Sequence, residues 1–281
     1  MSHVAYVNGV YAPLNVPFVS VLDRGFQLAD SIYEVWAVRG GVLFDADEHM
    51  ARLQRSLEEL RIAPPMSAKS LLAVIRETMR RNRVRDGIVY VQVSRGVAPR
   101  DHVFPAAYVR PTLVVTAKNL DQTAIAARAE SGVKIISAPE TRWTRRDIKS
   151  VNLLANVLAR QAAKEAGAFE AWFVDDDGFV TEGTSSTAWI IDTEGRLRTR
   201  PLSNDILHGV TRGTLLKLAR ARDLTVSETP FTIAEAKAAR EAFISSASNP
   251  AVGVVSIDGV PVGGGKVGAV TRILRAVYLG A

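Results

Sequence analysis

Only eight of the 35 basic residues are lysines, so lysine is the exception among this chain's cations. Lys149 falls in RWTRRDIKSVNLLANVLARQAAKEAG, residues 142–167, where charged side chains give way to apolar ones at helical spacing. A lysine can shed its proton near neutral pH and attack a carbonyl carbon to form an imine, which an arginine cannot do. Arg145 and Arg146, close in sequence, would favour the uncharged amine. Four other segments carry groups suited to such chemistry. VTEGTSST ends a hairpin strand on Glu182, beside Gly183 and a cluster of small hydroxyl residues. ILHGVTRGTLLKLA sets Gly209, Val210 and Thr211 at a helix start, where backbone N–H groups have no intrahelical acceptor and suit a phosphate. DEHMARLQRS carries Arg52 on the polar side of a helix. RGVAPRDHVFP places Arg100 and His102 two apart, on one side of any extended segment, as a pair able to hydrogen-bond a carboxylate. Taken singly, each has a plain structural explanation: a solvated lysine, a strand-end carboxylate, a capped helix, surface loop residues.

The elements that must position these groups follow from periodicity. HVAYVNGVYAPL reads as two short strands around Asn8-Gly9, a strong hairpin signal. SIYEVWAVRGGVLF repeats the pattern around Gly40-Gly41, with Tyr33 and Val35 on one strand face and Glu34 and Trp36 on the other. DADEHMARLQRSLEELRI reads as a helix with an apolar stripe of Met50, Leu53, Leu57 and Leu60 and acids in its first turn. A second helix, SAKSLLAVIRETMRRNRV, leads into the strands GIVYVQVSRG and PTLVVTAKNL. Periodicity fades after these, so the reading is a small N-terminal domain over residues 1–120, a connection at 121–131 and a larger domain over 132–281. The larger part holds the strand VKIISAP, a helix beginning near Ser150, hairpins turning at Asp177-Gly178 and Glu194-Gly195, and the helices TRGTLLKLARARDL and GAVTRILRAVYL. Hairpins interspersed with helices predict an α+β fold of two unlike lobes rather than a doubly wound parallel sheet.

Composition narrows the function classes. With 47% hydrophobic and 23% charged residues, the chain is globular in character. The net charge of +6 comes from basic residues scattered among 29 acidic ones, so neither a nucleic acid nor a membrane is the expected partner. There is no cysteine, hence no disulfide or thiolate metal site. DDDG at 175–178 is an acidic turn, too short and local for a metal site. No GxGxxG or P-loop pattern occurs, nor an apolar stretch of 18 residues, and the N-terminal residues lack a signal-peptide pattern; a cytoplasmic protein is expected. His49, His208, Trp36 and Trp143 are read as packing or surface groups.

Taken together, in this order and spacing, DRGFQLADSIYEV, VSRGVAPRDHVFP, RRDIKSVNLLANVLARQAA, VTEGTSS and DILHGVTRG resemble the fold-type-IV pyridoxal-phosphate (PLP) aminotransferases, most closely the D-amino-acid aminotransferases. The resemblance runs nearly the whole chain. It implies a PLP cofactor joined to Lys149 as a Schiff base, with Glu182 paired to the pyridine nitrogen. It further implies that Arg52, Gly209, Val210, Thr211, Ser246 and Ala247 hold the phosphate and that Leu207 packs on the ring. A carboxylate about 4 Å from the ring nitrogen, at an effective dielectric of about 20, favours the pyridinium by about 4 kcal/mol. That is about three pKa units, enough to keep the ring cationic at neutral pH. Lys149, once displaced by a substrate amine, is a base tethered beside the Cα proton. Two departures stand out. The family pattern after the glutamate prefers Asn and an aromatic Phe or Tyr where this chain has Thr187 and Trp189, and a threonine hydroxyl is often found where it has Ala247.

In the D-amino-acid enzymes an R-x-H pair like Arg100 and His102, with a tyrosine matching Tyr33 and with Val35 on the same strand face, binds the substrate α-carboxylate on a loop that crosses from the neighbouring subunit. Branched-chain enzymes and (R)-amine transaminases lack that pair. The resemblance therefore implies a homodimeric D-amino-acid aminotransferase that moves an amino group between, for example, D-alanine and 2-oxoglutarate or pyruvate. Its alternatives are a branched-chain L-amino-acid aminotransferase, an (R)-amine transaminase, an aminodeoxychorismate lyase or, from a different class, a non-catalytic basic binding module.

Overall fold

A computed structural model describes residues 3–280. The chain divides into two compact units: one holds the residues up to Asp121 together with Ile148–Asn152, the other Gln122–Asp147 and the residues from Leu153 onward. Helices and strands mix in both, an α+β architecture.

The first unit contains β1 (Val4–Val7), β2 (Val10–Pro13), α1 (Arg24–Leu28), β3 (Ser31–Arg39), β4 (Val42–Leu43), α2 (Ala46–Glu59), α3 (Ala68–Arg81), β5 (Gly87–Ser94) and β6 (Thr112–Asn119). Its strands form one antiparallel sheet in the order β2-β1-β6-β5-β3-β4. Val7 pairs with Val10 across Asn8 and Gly9, both at positive φ, as a two-residue hairpin of that handedness requires. Alternation in β3 sends Ile32, Glu34 and Trp36 into the interior and leaves Tyr33 and Val35 half-buried on the other face. Trp36, Val89, Val91 and Val115 meet Leu53 and Leu57 of α2 and Leu71 and Ile75 of α3, so the two amphipathic helices cover one side of the sheet.

The second unit holds α4 (Gln122–Ser131), β7 (Val133–Pro139), α5 (Leu154–Glu165), β8 (Glu170–Val174), β9 (Val180–Gly183), β10 (Thr187–Ile191), β11 (Leu197–Arg198), α6 (Val210–Arg220), β12 (Val226–Ser227), α7 (Ile233–Ala238), β13 (Glu241–Ser245), β14 (Val252–Ile257), β15 (Val260–Pro261) and α8 (Ala269–Leu279). Its sheet is mixed, in the order β12-β11-β10-β13-β14-β7-β8-β9, with β15 on β14. Trp172, Ile190, Phe231, Ile244 and Val254 form its core.

Two boundaries differ from the sequence reading. Residues 121–131, expected to connect the domains, form α4, and the second unit begins at Gln122. No α4 residue is buried, so the helix carries no apolar stripe for a periodicity search to find. The helix expected near Ser150 begins only at Leu154. Lys149 instead lies on an extended segment alongside β3: the Tyr33 N–H donates to the Lys149 carbonyl (3.0 Å) and the Val151 N–H to that of Ser31 (3.0 Å).

Candidate active site

In the first unit, pairing to β3 brings Lys149 to the half-buried face of that strand. Its Nζ sits 4.1 Å from the centre of the Tyr33 ring. Tyr33 stacks on Tyr90 (5.6 Å between centroids, 26°), and Tyr90 lies opposite Val35 in the ladder. Burial, then the neighbouring Tyr33, pushes the Tyr90 hydroxyl up to about 12, and it donates to Gln92 Oε1 at 2.8 Å. Tyr33, Val35 and Lys149 thus belong to one surface. Of the two arginines ahead of it in sequence, Arg145 pairs with Asp147 (2.9 Å) and Arg146 with Asp205 (3.2 Å).

Arg52 grips Glu34, with Nε on Oε2 (2.9 Å) and Nη2 on Oε1 (2.6 Å), while His49 Nδ1 lies 2.9 Å from Oε1. Burial alone would raise the Glu34 pKa; the Arg52 charge and the His49 hydrogen bond outweigh it and hold the carboxyl well below its usual range. A phosphate-facing role for Arg52 therefore starts from a guanidinium already oriented by a buried carboxylate. His49, read from sequence as a packing or solvated group, is buried and part of this network. Arg100 and His102 are both exposed, on the irregular loop between β5 and β6.

In the second unit, Glu182 on β9 is buried. Its Oε1 accepts from Arg142 Nη1 (2.6 Å), and both oxygens lie 3.2 Å from the Leu207 N–H. Arg142 is shared with Glu140 (2.6 Å), so Glu182 receives only part of its compensation. Burial raises the Glu182 pKa, and Arg142 offsets this incompletely. A buried carboxylate with spare acceptor capacity on Oε2 suits a protonated ring nitrogen. The turn after it is held by Glu170, whose buried carboxylate accepts from Thr184 Oγ1 (2.9 Å), the Ser185 N–H (2.7 Å) and Ser186 Oγ (2.6 Å). A Cβ on Gly183 would come within 2.5 Å of Ser186 Oγ and 2.9 Å of Glu170 Cδ, so glycine is required there.

Gly209 is the N-cap of α6, and no side chain caps the helix. The amides of Val210 and Thr211, in the first turn, have no intrahelical acceptor, so the helix start suits an anion. By contrast, Glu241 fills the same role at α8, accepting from the Val270 and Thr271 amides (both 2.9 Å). A Cβ on Gly209 would stand 3.0 Å from Thr187 Oγ1, which puts that departure from the family pattern beside the phosphate-type turn. Trp189 is core: it stacks on Phe243 (5.3 Å, 8°) and donates from Nε1 to Ser245 Oγ at 2.9 Å. The Ser246 N–H is taken by the Asn249 carbonyl (3.1 Å), which leaves the Ser246 hydroxyl and Ala247 as that turn's polar and backbone contributions. Each unit holds groups that suit PLP: in the first an amine for its aldehyde and an arginine for its phosphate, in the second a buried acid for its ring nitrogen and an uncapped helix start for its phosphate.

Sequence reasoning misses Arg142, Glu140, Glu170 and Glu34. Arg142 stands seven residues before Lys149 in a segment already singled out, and Glu34 lies in the strand segment SIYEVWAVRGGVLF, whereas Glu140 and Glu170 lie outside the segments singled out. Nothing in the sequence says which partner each one meets.

Comparison with known proteins agrees with this donor set. Residues 31–257 match the family model described as amino-transferase class IV. A D-alanine aminotransferase of Staphylococcus haemolyticus is 39% identical over 96% of this chain and 94% of its own length. One of Bacillus licheniformis is 40% identical over 90% and 88%. Among solved structures, the Escherichia coli branched-chain amino acid aminotransferase superposes with a TM-score of 0.91 at 24% identity, covering 100% of this chain and 94% of that one, a likeness of fold. A hypothetical aminotransferase from Mycobacterium tuberculosis in a PLP-bound form gives 0.82 at 22% identity, over 99% of each chain. No helix among the described residues is long and apolar enough to cross a membrane. With its signature segments, its donor set and these relatives in agreement, the chain belongs to the class IV aminotransferases.

Proposed function

We propose that this protein is a PLP-dependent D-amino-acid aminotransferase that moves an amino group between a D-amino acid such as D-alanine and a 2-oxo acid such as 2-oxoglutarate or pyruvate. What carries the reading is the conjunction of two relatives named D-alanine aminotransferase, 39% and 40% identical, with the Arg100-x-His102 pair on an exposed loop. Bound PLP supplies an electron sink for the pair left when the substrate Cα–H bond breaks. Lys149 would hold the cofactor through its Nζ, and as a free amine would take the proton from the substrate Cα. Glu182 keeps the ring nitrogen protonated. Arg52, the Gly209-Val210-Thr211 turn, Ser246 and Ala247 hold the phosphate, and Leu207 packs on the ring. Arg100 and His102, with Tyr33 and Val35 lining the approach, bind the α-carboxylate. Both half-reactions use this one trap, so both substrates need that carboxylate.

The proposal includes a homodimer in which the loop bearing Arg100 is offered to the neighbouring subunit. Exposed apolar side chains on and near it, Phe18, Phe26 and Tyr108 among them, support such a contact. To test the activity, one portion of the purified protein is reduced with borohydride, digested and analysed by mass spectrometry, and an untreated portion is assayed with D-alanine and with L-leucine. The expected result is a pyridoxyl group on Lys149 and turnover of D-alanine. An unlabelled Lys149 sinks the site assignment, and turnover of L-leucine alone would move the protein to the branched-chain reading.

A further inference from the structure

An exposed loop is a poor place from which to bind a carboxylate unless something fixes its backbone, because unfrozen loop residues must be ordered at each binding event. The loop bearing Arg100 and His102 is fixed from below by a buried charge cluster. Its first residues pair with the chain ahead of α1: the Arg24 N–H donates to the Gly96 carbonyl (3.0 Å) and the Ala98 N–H to that of Leu22 (3.3 Å). Farther along, the buried Arg24 side chain donates from Nη1 to the carbonyls of Asp101 (2.6 Å) and Val103 (3.2 Å), the two residues that flank His102. Its Nε is turned to Asp30 Oδ2 (2.8 Å). Asp30 is also held by Arg95, through Nε (2.7 Å) and Nη2 (2.9 Å). Arg95 in turn donates to the carbonyls of Leu60 and Arg61 (both 2.7 Å), and its guanidinium lies 3.7 Å over the ring of Phe104. The loop is thus gripped at 96–98 and again at 101–104, with Arg100 and the His102 side chain projecting between and beside the grips.

We infer that the Arg24–Asp30–Arg95 cluster is the positioning device of the carboxylate trap: it touches no substrate, and sets the conformation in which Arg100 and His102 are presented together. The inference rests on the trap reading given above. Arginine is needed at position 24 because its planar fork reaches a carboxylate and two carbonyls at once, whereas a lysine offers a single nitrogen. Arg24→Lys would keep the charge beside Asp30 and give up the grip on Asp101 and Val103.

The experiment compares four holoenzymes: wild type, Arg24→Lys, Arg100→Leu/His102→Ala, and the triple variant. Each is assayed for kcat and KM with D-alanine and for pyridoxyl label on Lys149 after borohydride. Arg24→Lys is expected to raise KM about tenfold with kcat within about twofold of wild type and full labelling. In the trapless background the same substitution is expected to change KM by less than about twofold, because the residues it acts through are gone. A purely structural role would lower label and kcat in both backgrounds alike and overturn the inference, as would an unchanged KM for Arg24→Lys beside a raised one for Arg100→Leu/His102→Ala. Should that double variant itself keep wild-type KM, the trap reading fails, and the failure is recognisably its own. If Arg24→Lys does not accumulate as folded protein, the exposed Phe104→Leu carries the test: it removes the ring under Arg95, a raised KM supports the inference, and an unchanged KM overturns it.

Discussion

Glu34 and Glu182 are both buried carboxylates, yet they are driven in opposite directions. Glu34 is held by Arg52 and His49 and stays ionised; Glu182 shares Arg142 with Glu140, and burial wins. The difference fits the proposed roles, Glu34 orienting Arg52 and Glu182 facing a ligand cation. A carboxyl whose pKa is raised on folding contributes stability below its unfolded pKa and loses it as pH rises through the folded value. Keeping Glu182 charged at neutral pH is therefore a cost to the apoprotein that a bound pyridinium offsets. Glu182→Gln apoprotein should melt no lower than wild type at pH 8, with the gap in its favour widening as pH rises through the carboxylate range, and Arg142 retaining Glu140. The same substitution should lower kcat with D-alanine by about 10²–10³-fold, the scale seen when one preorganised electrostatic partner is removed. Differential melting of the stripped proteins and steady-state kinetics read the two halves. A destabilised apoprotein would mean that Glu182 is structural. At this scale the chemistry is legible in sequence and its wiring is not: VTEGTSS marks Glu182, but Arg142 lies 40 positions away and only the folded chain brings it within 2.6 Å.

At the scale of elements, local signals carry far. Asn8-Gly9 and Gly40-Gly41 turn where two-residue hairpins should, because positive φ at those positions leaves glycine and asparagine few rivals. What escapes is any element whose identity depends on context. The exposed helix α4 has no apolar stripe, so it reads as a linker. The segment around Lys149 borrows its extended form from β3, while the apolar run behind it reads as helix four residues too early. Helix starts show the same dependence: α6 and α8 both have glycine at the N-cap, and only the distant Glu241 tells them apart. Replacing Glu241 with Ala should cost about 1–2 kcal/mol, the scale of a lost N-terminal cap, and lower the melting temperature. PLP affinity, measured by fluorescence titration of the stripped protein, should stay unchanged, since the anion-ready helix start is that of α6. Weaker PLP binding in this variant would show that α8 also takes part in holding the cofactor.

For the whole molecule, the exposed surface is the part that cannot be closed by one chain. Phe18 and Tyr108 are each 86% exposed in the first unit, and α5 of the second presents Leu154, Val157 and Leu158 to solvent on its outer face. Three large aliphatic side chains at i, i+3 and i+4 make the apolar stripe of an amphipathic helix, and such a stripe is stable in water only when something covers it. The proposed homodimer supplies a cover of the same composition. It also explains why apolar residues remain on the α5 surface although the sequence can place arginines freely elsewhere. A charge buried in that contact without a partner costs several kcal/mol, enough to separate subunits at micromolar concentration. Leu158→Glu should therefore convert a species of twice the chain mass into one of single mass in sedimentation equilibrium. Lys149 should still take the pyridoxyl label in the monomer. KM for D-alanine should rise, because the loop bearing Arg100 and His102 no longer has a neighbouring subunit to serve. A Leu158→Glu protein that stays at twice the chain mass would remove α5 from the interface, and a monomer with wild-type KM would show that the trap acts within its own chain.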